Sequence, residues 1–92
     1  MNAVTETHTV ELTDYNGLDI VTEINAAIAS DLVVTINGDT VNTRFGRKVS
    51  HWGTGSVSFE VDSKRGSVNT RTMWLKPGRT INWTSTPLAP RA

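Results

Sequence analysis

The sequence contains no cysteine. Disulfide bonds and thiolate metal sites are therefore excluded, and the cross-links that stabilise many small secreted domains are absent. A chain of 92 residues has room for one modest hydrophobic core and no second domain of useful size. Stability must therefore come from that core or from a partner.

Long apolar runs are also missing. The longest contain three or four residues, whereas a helix that crosses a bilayer needs about 20. The first 20 residues include Glu6, Glu11, Asp14 and Asp19 in place of the basic start and apolar run of a signal peptide. We therefore expect no membrane partner and no signal peptide, and a location in the cytoplasm or in a virion-like particle.

Lysine and arginine are missing from residues 1–43, which contain seven Asp or Glu and carry a formal charge of −7. Residues 44–92 contain nine Lys or Arg and two acids, a charge of +7. The two halves either interleave in one sheet, where cross-strand pairs stabilise by ~0.2–1 kcal/mol each, or leave an acidic and a basic pole. Opposite poles favour contact with further copies or with two different partners.

Abundant β-branched residues favour strands, because Thr, Val and Ile make up 29 of the 92 residues and suit a pleated, half-buried surface. Alternation from Thr7 to Leu12 predicts a first strand with His8 and Val10 on its inner side. Turn-forming residues at 13–17 then end this strand.

A change of period after Asp19 predicts one amphipathic helix over 20–29, with Asp19 as its N-cap. The alternative is a strand through Leu18 and Ile24. Isolated helices shorter than about 12–15 residues are marginal in water. The helix must therefore pack its apolar stripe on a sheet.

Asn37-Gly38 is the strongest local signal, because it separates two β-branched runs and both residues of such a turn need positive φ. It predicts a tight hairpin between strands at 32–36 and 40–45. The alternation then sets two groups apart: Leu32, Val34, Ile36, Val41, Thr43 and Phe45 face inward, and Thr35, Thr40, Asn42 and Arg44 face outward.

Three further strands, at 56–62, 67–75 and 80–84, are predicted to form a meander. A four-residue loop at 63–66 sets the register of the first pair. The resulting apolar face contains Val57, Phe59, Val61, Val68, Trp74, Ile81 and Trp83. On the other face, Glu60 and Arg71 are expected to form a cross-strand ion pair.

These elements predict an α+β fold that is mostly β: a five- to six-stranded antiparallel sheet or partial barrel with one short helix packed on it. Residues 1–86 form a single small domain in this interpretation. Residues 87–92, with two prolines, form an extended C-terminal tail.

Few residues are suited to catalysis. Nucleophilic catalysis needs a base beside its nucleophile, and neither histidine, His8 or His51, lies in a recognisable motif. No ligand pair has the close spacing of a familiar metal site. The glycine-rich stretch 53–56 precedes a predicted strand, unlike a phosphate-binding loop, which opens a helix. We expect no enzymatic activity, no cofactor and no metal.

Residues 44–52 combine cationic side chains with an aromatic ring, and their candidate binding residues are Arg44, Arg47, Lys48, His51 and Trp52. Cations contact phosphates and a flat ring stacks on an unpaired base. The pI near 6.7 argues against a dedicated nucleic-acid-binding domain, for which values above about 9 are typical. Trp52 is either a plug over the open end of the sheet or an exposed contact residue.

The leading hypothesis is a non-enzymatic protein-interaction or structural module within an assembly, whose partner is another protein or further copies of itself. The composition, rich in Thr, Asn, Gly and Val, is similar to that of small accessory proteins of bacteriophage particles, a resemblance that implies no residue roles. The alternative is a nucleic-acid or nucleoprotein-binding module that uses residues 44–52, or an inhibitor of a host protein.

Overall fold

The computed structural model describes residues 4–43, 49–62 and 70–87. One helix and seven strands lie in this part of the chain: β1 Glu6–Glu11, α1 Gly17–Ala29, β2 Leu32–Ile36, β3 Asp39–Thr40, β4 Ser50–His51, β5 Val57–Asp62, β6 Thr70–Leu75 and β7 Thr80–Pro87. They form two antiparallel sheets, of order β1-β7-β2-β3 and β4-β5-β6. The predicted α+β, mostly β class is confirmed. The single sheet or partial barrel is wrong, because the described strands divide between two sheets and neither closes.

The last strand, β7, lies in the middle of the four-stranded sheet. It pairs with β1 from Glu6↔Ser85 to Glu11↔Thr80 and with β2 from Leu32 to Ile36. The predicted meander is therefore wrong at its last step, since β7 leaves β6 and joins the other sheet. Trp83 of β7 is nonetheless buried, as expected.

The hairpin prediction is confirmed at its turn, where φ is 51° at Asn37 and 87° at Gly38. The second strand is shorter than predicted, because Val41 forms an isolated bridge with Val61 of the other sheet. This departure turns Asn42 inward, so the predicted outward position is wrong and the side chain is buried.

The residues after Asn42 depart from the predicted second strand or lie outside the part of the chain that the structure describes. Thr43, predicted to face inward, is exposed. Arg44 and Phe45 lie outside the described residues.

The predicted helix is confirmed, but it begins at Gly17 and its N-cap is Asn16, not Asp19. The Asn16 side chain bonds outside the helix: its Oδ1 accepts from the Thr13 N–H at 2.8 Å, and its Nδ2 donates to the Glu11 carbonyl at 2.9 Å. Asp19 lies instead in the first turn, where a negative charge is favourable near the positive end of the helix dipole.

The register between β5 and β6 differs from the predicted one. Phe59 lies opposite Met73, and Ser58 lies opposite Trp74, a shift of three residues from the register expected for a four-residue loop. An odd shift turns every side chain over, so Trp74 lies on the outer face and is 52% exposed. Its predicted core position is wrong.

The same shift removes the expected ion pair between Glu60 and Arg71. Glu60 lies opposite Thr72, and Arg71 lies opposite Val61, so the two charged residues occupy different faces of the sheet. Val68, predicted to pair with Val61, is outside the described residues.

The core lies between the helix and the inner faces of the sheets, and α1 contacts both β2 and β4. His8 lies at its margin, where its ring stacks on Trp83 with centroids 4.2 Å apart. The buried hydrophobic side chains are Leu12, Ile20, Val21, Ile24, Val34, Ile36, Val41, Val49, Val57, Phe59, Val61, Leu75, Ile81 and Trp83.

Candidate functional site

Two tryptophan side chains meet on the outer face of the three-stranded sheet. Trp52 follows β4 and Trp74 belongs to β6; their ring centroids are 5.3 Å apart and their planes are tilted by 36°. Trp52 is 48% exposed and Trp74 is 52% exposed. Large aromatic rings that remain open to solvent side by side are typical of contact surfaces.

The orientation of Trp52 is fixed by a hydrogen bond. Its indole Nε1–H donates to Ser58 Oγ at 2.9 Å, and Ser58 is buried directly opposite Trp74 in the β5–β6 ladder. The backbone of Trp52 is also held, because its N–H donates to the Ser56 carbonyl at 2.9 Å. The ring is therefore positioned before any partner arrives.

The turn after Trp52 is held against two neighbouring segments. The Gly55 N–H donates to the Trp52 carbonyl at 2.8 Å, and Gly55 has a φ of 89°, which favours glycine. A Cβ at this position would lie 2.9 Å from Pro77 Cγ and 3.2 Å from Asp14 Cα. Glycine is therefore needed both for the backbone conformation and for the close approach.

The two tryptophans border an open groove of about 290 Å³. Its remaining lining is largely polar, with hydroxyl groups and one carboxylate. We name it the tryptophan groove, lined by Ser50, Trp52, Ser58, Phe59, Glu60, Thr72 and Trp74. This combination offers rings for apolar contact and oxygen atoms for hydrogen bonds, and among the described lining residues it offers no cation.

A second hollow, of about 180 Å³, lies on the other side of Trp52. Tyr15 and Leu18 line it together with His51. Tyr15 is 93% exposed and Leu18 is 55% exposed. Trp52 lines both concavities. The exposed apolar surface therefore continues from Trp74 across Trp52 to the start of the helix.

The sequence-predicted binding residues divide into two groups. Trp52 and His51 are described, and His51 is exposed in the second hollow, not in the tryptophan groove. Arg44, Arg47 and Lys48 lie outside the described residues, so their place beside Trp52 stays a prediction.

Sequence reasoning missed Trp74, although a signal for it was present. Met73 and Leu75 flank Trp74, and strict alternation that buries those two residues turns Trp74 outward. The prediction instead follows the register set by a four-residue loop at 63–66, which places Trp74 on the apolar face. Tyr15 and Leu18 had no comparable signal, because isolated apolar residues in a turn or at a helix start are common on surfaces.

The histidines do not join a catalytic or metal-binding arrangement in the described part of the chain. His8 Nε2 lies 3.7 Å from Glu6 Oε1 and its ring stacks on Trp83, while His51 lines the second hollow. Residues 4–43, 49–62 and 70–87 contain no group of three or more His, Asp or Glu side chains placed to hold a metal ion.

The seven acidic residues of the first half lie on the four-stranded sheet, on the helix and in the turns between them. The four-stranded sheet with its helix, residues 4–43 and 80–87, carries seven carboxylates and no Lys or Arg. None of the described strand pairs joins an acid to a Lys or Arg. The cations that the structure describes lie on β6 and in the turn that follows it: Arg71, Lys76 and Arg79.

Comparison with protein-family models, curated proteins and solved structures finds no significant match to this chain. Within the described residues, no helix has the length and apolar character needed to cross a membrane.

Proposed function

We propose that this protein is a non-enzymatic interaction module that binds a protein partner, or further copies of itself, through the tryptophan groove. The observation that carries the proposal is the ring contact of Trp52 with Trp74, both about half exposed. Tryptophan is among the residues most enriched at the energetic centres of protein interfaces, where its truncation costs about 2 kcal/mol or more.

The fixed geometry of the groove supports the same function. The bond from Trp52 Nε1 to Ser58 Oγ holds the Trp52 ring, and the Trp74 ring packs against that held ring with centroids 5.3 Å apart. Ordering a flexible side chain at an interface costs about 0.5–1.5 kcal/mol. Rings that are already ordered avoid much of that cost, so their contact area contributes more fully to affinity.

The charge distribution supports a role within an assembly, in the cytoplasm or in a virion-like particle. Seven carboxylates lie on the layer formed by the four-stranded sheet and the helix, with no Lys or Arg among its described residues. A sheet and helix that carry carboxylates and no cation among their described residues orient approaching partners and select against others. This acidic region reaches the aromatic surface, because Asp14 lines the second hollow beside Trp52.

The test is site-specific photo-crosslinking in the cells that naturally make the chain. A photoreactive residue replaces Thr72, which lines the groove, and the matched control replaces Thr80, which is exposed on the other sheet. We expect a discrete cross-linked product at position 72 only, and its loss when Trp52→Ala or Trp74→Ala is added. Equal products at both positions, or products indifferent to the tryptophans, would contradict the proposal.

Single-stranded nucleic-acid binding is a second candidate, favoured by two adjacent open indole rings and by three cations at 44–48, directly before β4. Stacking of bases on aromatic rings contributes about 1–3 kcal/mol per base. The pI near 6.7 is below the values above about 9 that are typical of dedicated nucleic-acid-binding domains, which is why this function ranks second.

Titration with oligothymidylate, followed by tryptophan fluorescence, separates the two candidates. Nucleic-acid binding predicts quenching at low salt that weakens as salt rises and that is lost in Trp52→Ala. Fluorescence that stays constant at low salt would eliminate this candidate and leave the protein-binding function.

A further inference from the structure

Four strands border a single neighbour in the described sheets, and β1 and β6 are the two longest of them. β1 borders only β7, and β6 borders only β5; each contains six residues. An edge of this length presents unpaired N–H and C=O groups to a further strand. The hydrogen bonds next to each edge show which of its residues point their N–H and C=O groups away from the neighbouring strand.

On β1, the open backbone groups belong to Thr7 and Thr9. The Leu12 N–H donates to the Arg79 carbonyl at 2.9 Å and so continues the β1–β7 ladder. Because bonded residues alternate along an antiparallel strand, Thr7, Thr9 and Glu11 point away from β7. The Glu11 carbonyl accepts from Asn16 Nδ2 at 2.9 Å, which closes that end of the edge.

On β6, the open backbone groups include those of Thr72 and Trp74. The Asn42 N–H donates to the Glu60 carbonyl at 2.7 Å, so the Glu60 backbone points away from β6. Its cross-strand partner Thr72 therefore points to the free edge, and by alternation so does Trp74. Both residues also line the tryptophan groove, so the groove and the open edge adjoin.

We propose that β1 of one copy adds to the free edge of β6 of the next copy, so that copies join head to tail. This inference rests on the proposed function, because it names the groove's partner as a strand of a second copy. Addition of an extended strand to a sheet edge is an established mode of recognition, in which backbone bonds supply affinity and side-chain sites supply specificity. When two different surfaces of the same protein bind each other, the copies assemble into chains or rings and not into closed dimers.

Alternation along both edges allows a small set of registers, in which Thr7 or Thr9 of β1 lies opposite Thr72 or Trp74 of β6. Antiparallel pairing of Thr7 with Trp74 and of Thr9 with Thr72 matches the open groups of both edges and allows four N–H to C=O bonds. The core-side residues then continue across the seam, since His8 lies opposite Met73. Trp74 of one copy lies beside Thr7 of its neighbour, so the added strand borders the groove.

Charge selects this pairing over the pairing of like edges. β1 begins with Glu6 and ends with Glu11, whereas β6 contains Arg71 and is followed by Lys76. In the proposed register Glu6 lies opposite Leu75 and Glu11 lies opposite Thr70, so neither carboxylate directly faces a cation. The attraction is therefore between the net negative charge of β1 and the net positive charge of β6 and its following turn. Two β1 strands would bring four carboxylates to one seam, and like charges across strands are destabilising.

The experiment measures self-association of the full chain by sedimentation, from low micromolar to millimolar concentration at low salt. Thr7→Pro and Thr72→Pro each remove one open N–H, and proline is tolerated on an edge where that N–H faces solvent. Thr7→Ala and Thr72→Ala are the matched controls, because they keep the backbone donor.

We expect the wild type and both alanine variants to associate as concentration rises, and each proline variant alone to stay monomeric. An equimolar mixture of the two proline variants should give dimers and nothing longer, because one retains β6 and the other retains β1. A wild type that stays monomeric, proline variants that associate like wild type, or either proline variant forming dimers alone would overturn the proposal.

Hydrogen exchange on the wild type guards against misfolded variants. The amides of Thr7, Thr9, Thr72 and Trp74 should exchange more slowly as concentration rises, with no slowing at Gly53, which is exposed in a turn. Unchanged exchange at these four amides would also overturn the proposal. If association is absent while cross-linking at position 72 still depends on Trp52, the groove binds a different protein and only the second-copy inference fails.

Discussion

Ser58 is the residue that connects the two rings of the tryptophan groove. Its hydroxyl accepts the Trp52 indole N–H at 2.9 Å, and its position in β5 places it directly under Trp74. The buried Ser58 hydroxyl therefore holds the Trp52 ring in place through one hydrogen bond.

Ser58→Ala should loosen Trp52 with little loss of stability. Removing one hydrogen bond costs about 0.5–1.5 kcal/mol, and the indole N–H of a half-exposed ring regains water. We expect lower fluorescence anisotropy and weaker partner binding, and no such change in Ser50→Ala, which alters the same groove at an exposed position. Unchanged anisotropy in Ser58→Ala would show that the bond does not hold the ring.

Trp83 and Trp74 differ in what their truncation should cost. Trp83 is 5% exposed and contacts His8, so Trp83→Ala should lower the free energy of unfolding by about 3–5 kcal/mol. Trp74 is open to solvent and contacts Trp52, so Trp74→Ala should cost about 1 kcal/mol, the scale of an aromatic pair. Urea unfolding measures both.

Trp83→Phe serves as the milder variant if Trp83→Ala does not fold. It should lie between wild type and Trp83→Ala in unfolding free energy. Equal destabilisation by Trp74→Ala and Trp83→Ala would mean that Trp74 is a core residue and not part of an open surface.

At the scale of elements, the turn of the β2–β3 hairpin also fastens β7. Asn37 N–H donates to the Asn82 carbonyl at 2.8 Å, and Asn37 Oδ1 accepts the Asn82 N–H at 2.8 Å. The same residue therefore supplies the positive φ of the turn and extends the sheet by one pair of bonds.

Substitutions at Asn37 separate those two roles. Asn37→Gly keeps the backbone freedom and loses the side-chain bonds, so we expect a loss of about 0.5–1.5 kcal/mol. Asn37→Ala loses both, and strain at a positive φ adds about 1–3 kcal/mol. Thermal unfolding should rank wild type, glycine and alanine in that order, and equal melting temperatures for the two variants would show that only the bonds matter.

Elements whose signals are local could be predicted from the sequence, and elements whose partners are distant could not. The helix follows from apolar spacing over 20–29, and the hairpin follows from Asn37-Gly38. The position of β7 depends on pairing with β1 and β2, which no loop length encodes. The candidate site could not be predicted from the sequence for the same reason, because the β5–β6 register places Trp74 on the same face as Trp52.

At the scale of the whole molecule, the first and last described strands pair with each other and place the chain's acidic half around an uncharged centre. β7 contains no charged residue, and the strands on both sides of it belong to residues 4–43. The sequence polarity therefore becomes a layer of carboxylates within the described residues. The groove lies on the three-stranded sheet, and the acidic region meets the aromatic surface where Asp14 lines the second hollow beside Trp52.

Oxidative footprinting tests directly whether Trp52 and Trp74 form a contact surface. In the purified chain at low concentration, Trp52 and Trp74 should oxidise readily and Trp83 should not. In the cells that naturally make the chain, a partner in the groove should protect the first two rings to the level of Trp83. Equal oxidation of Trp52 and Trp74 in both settings would contradict the claim.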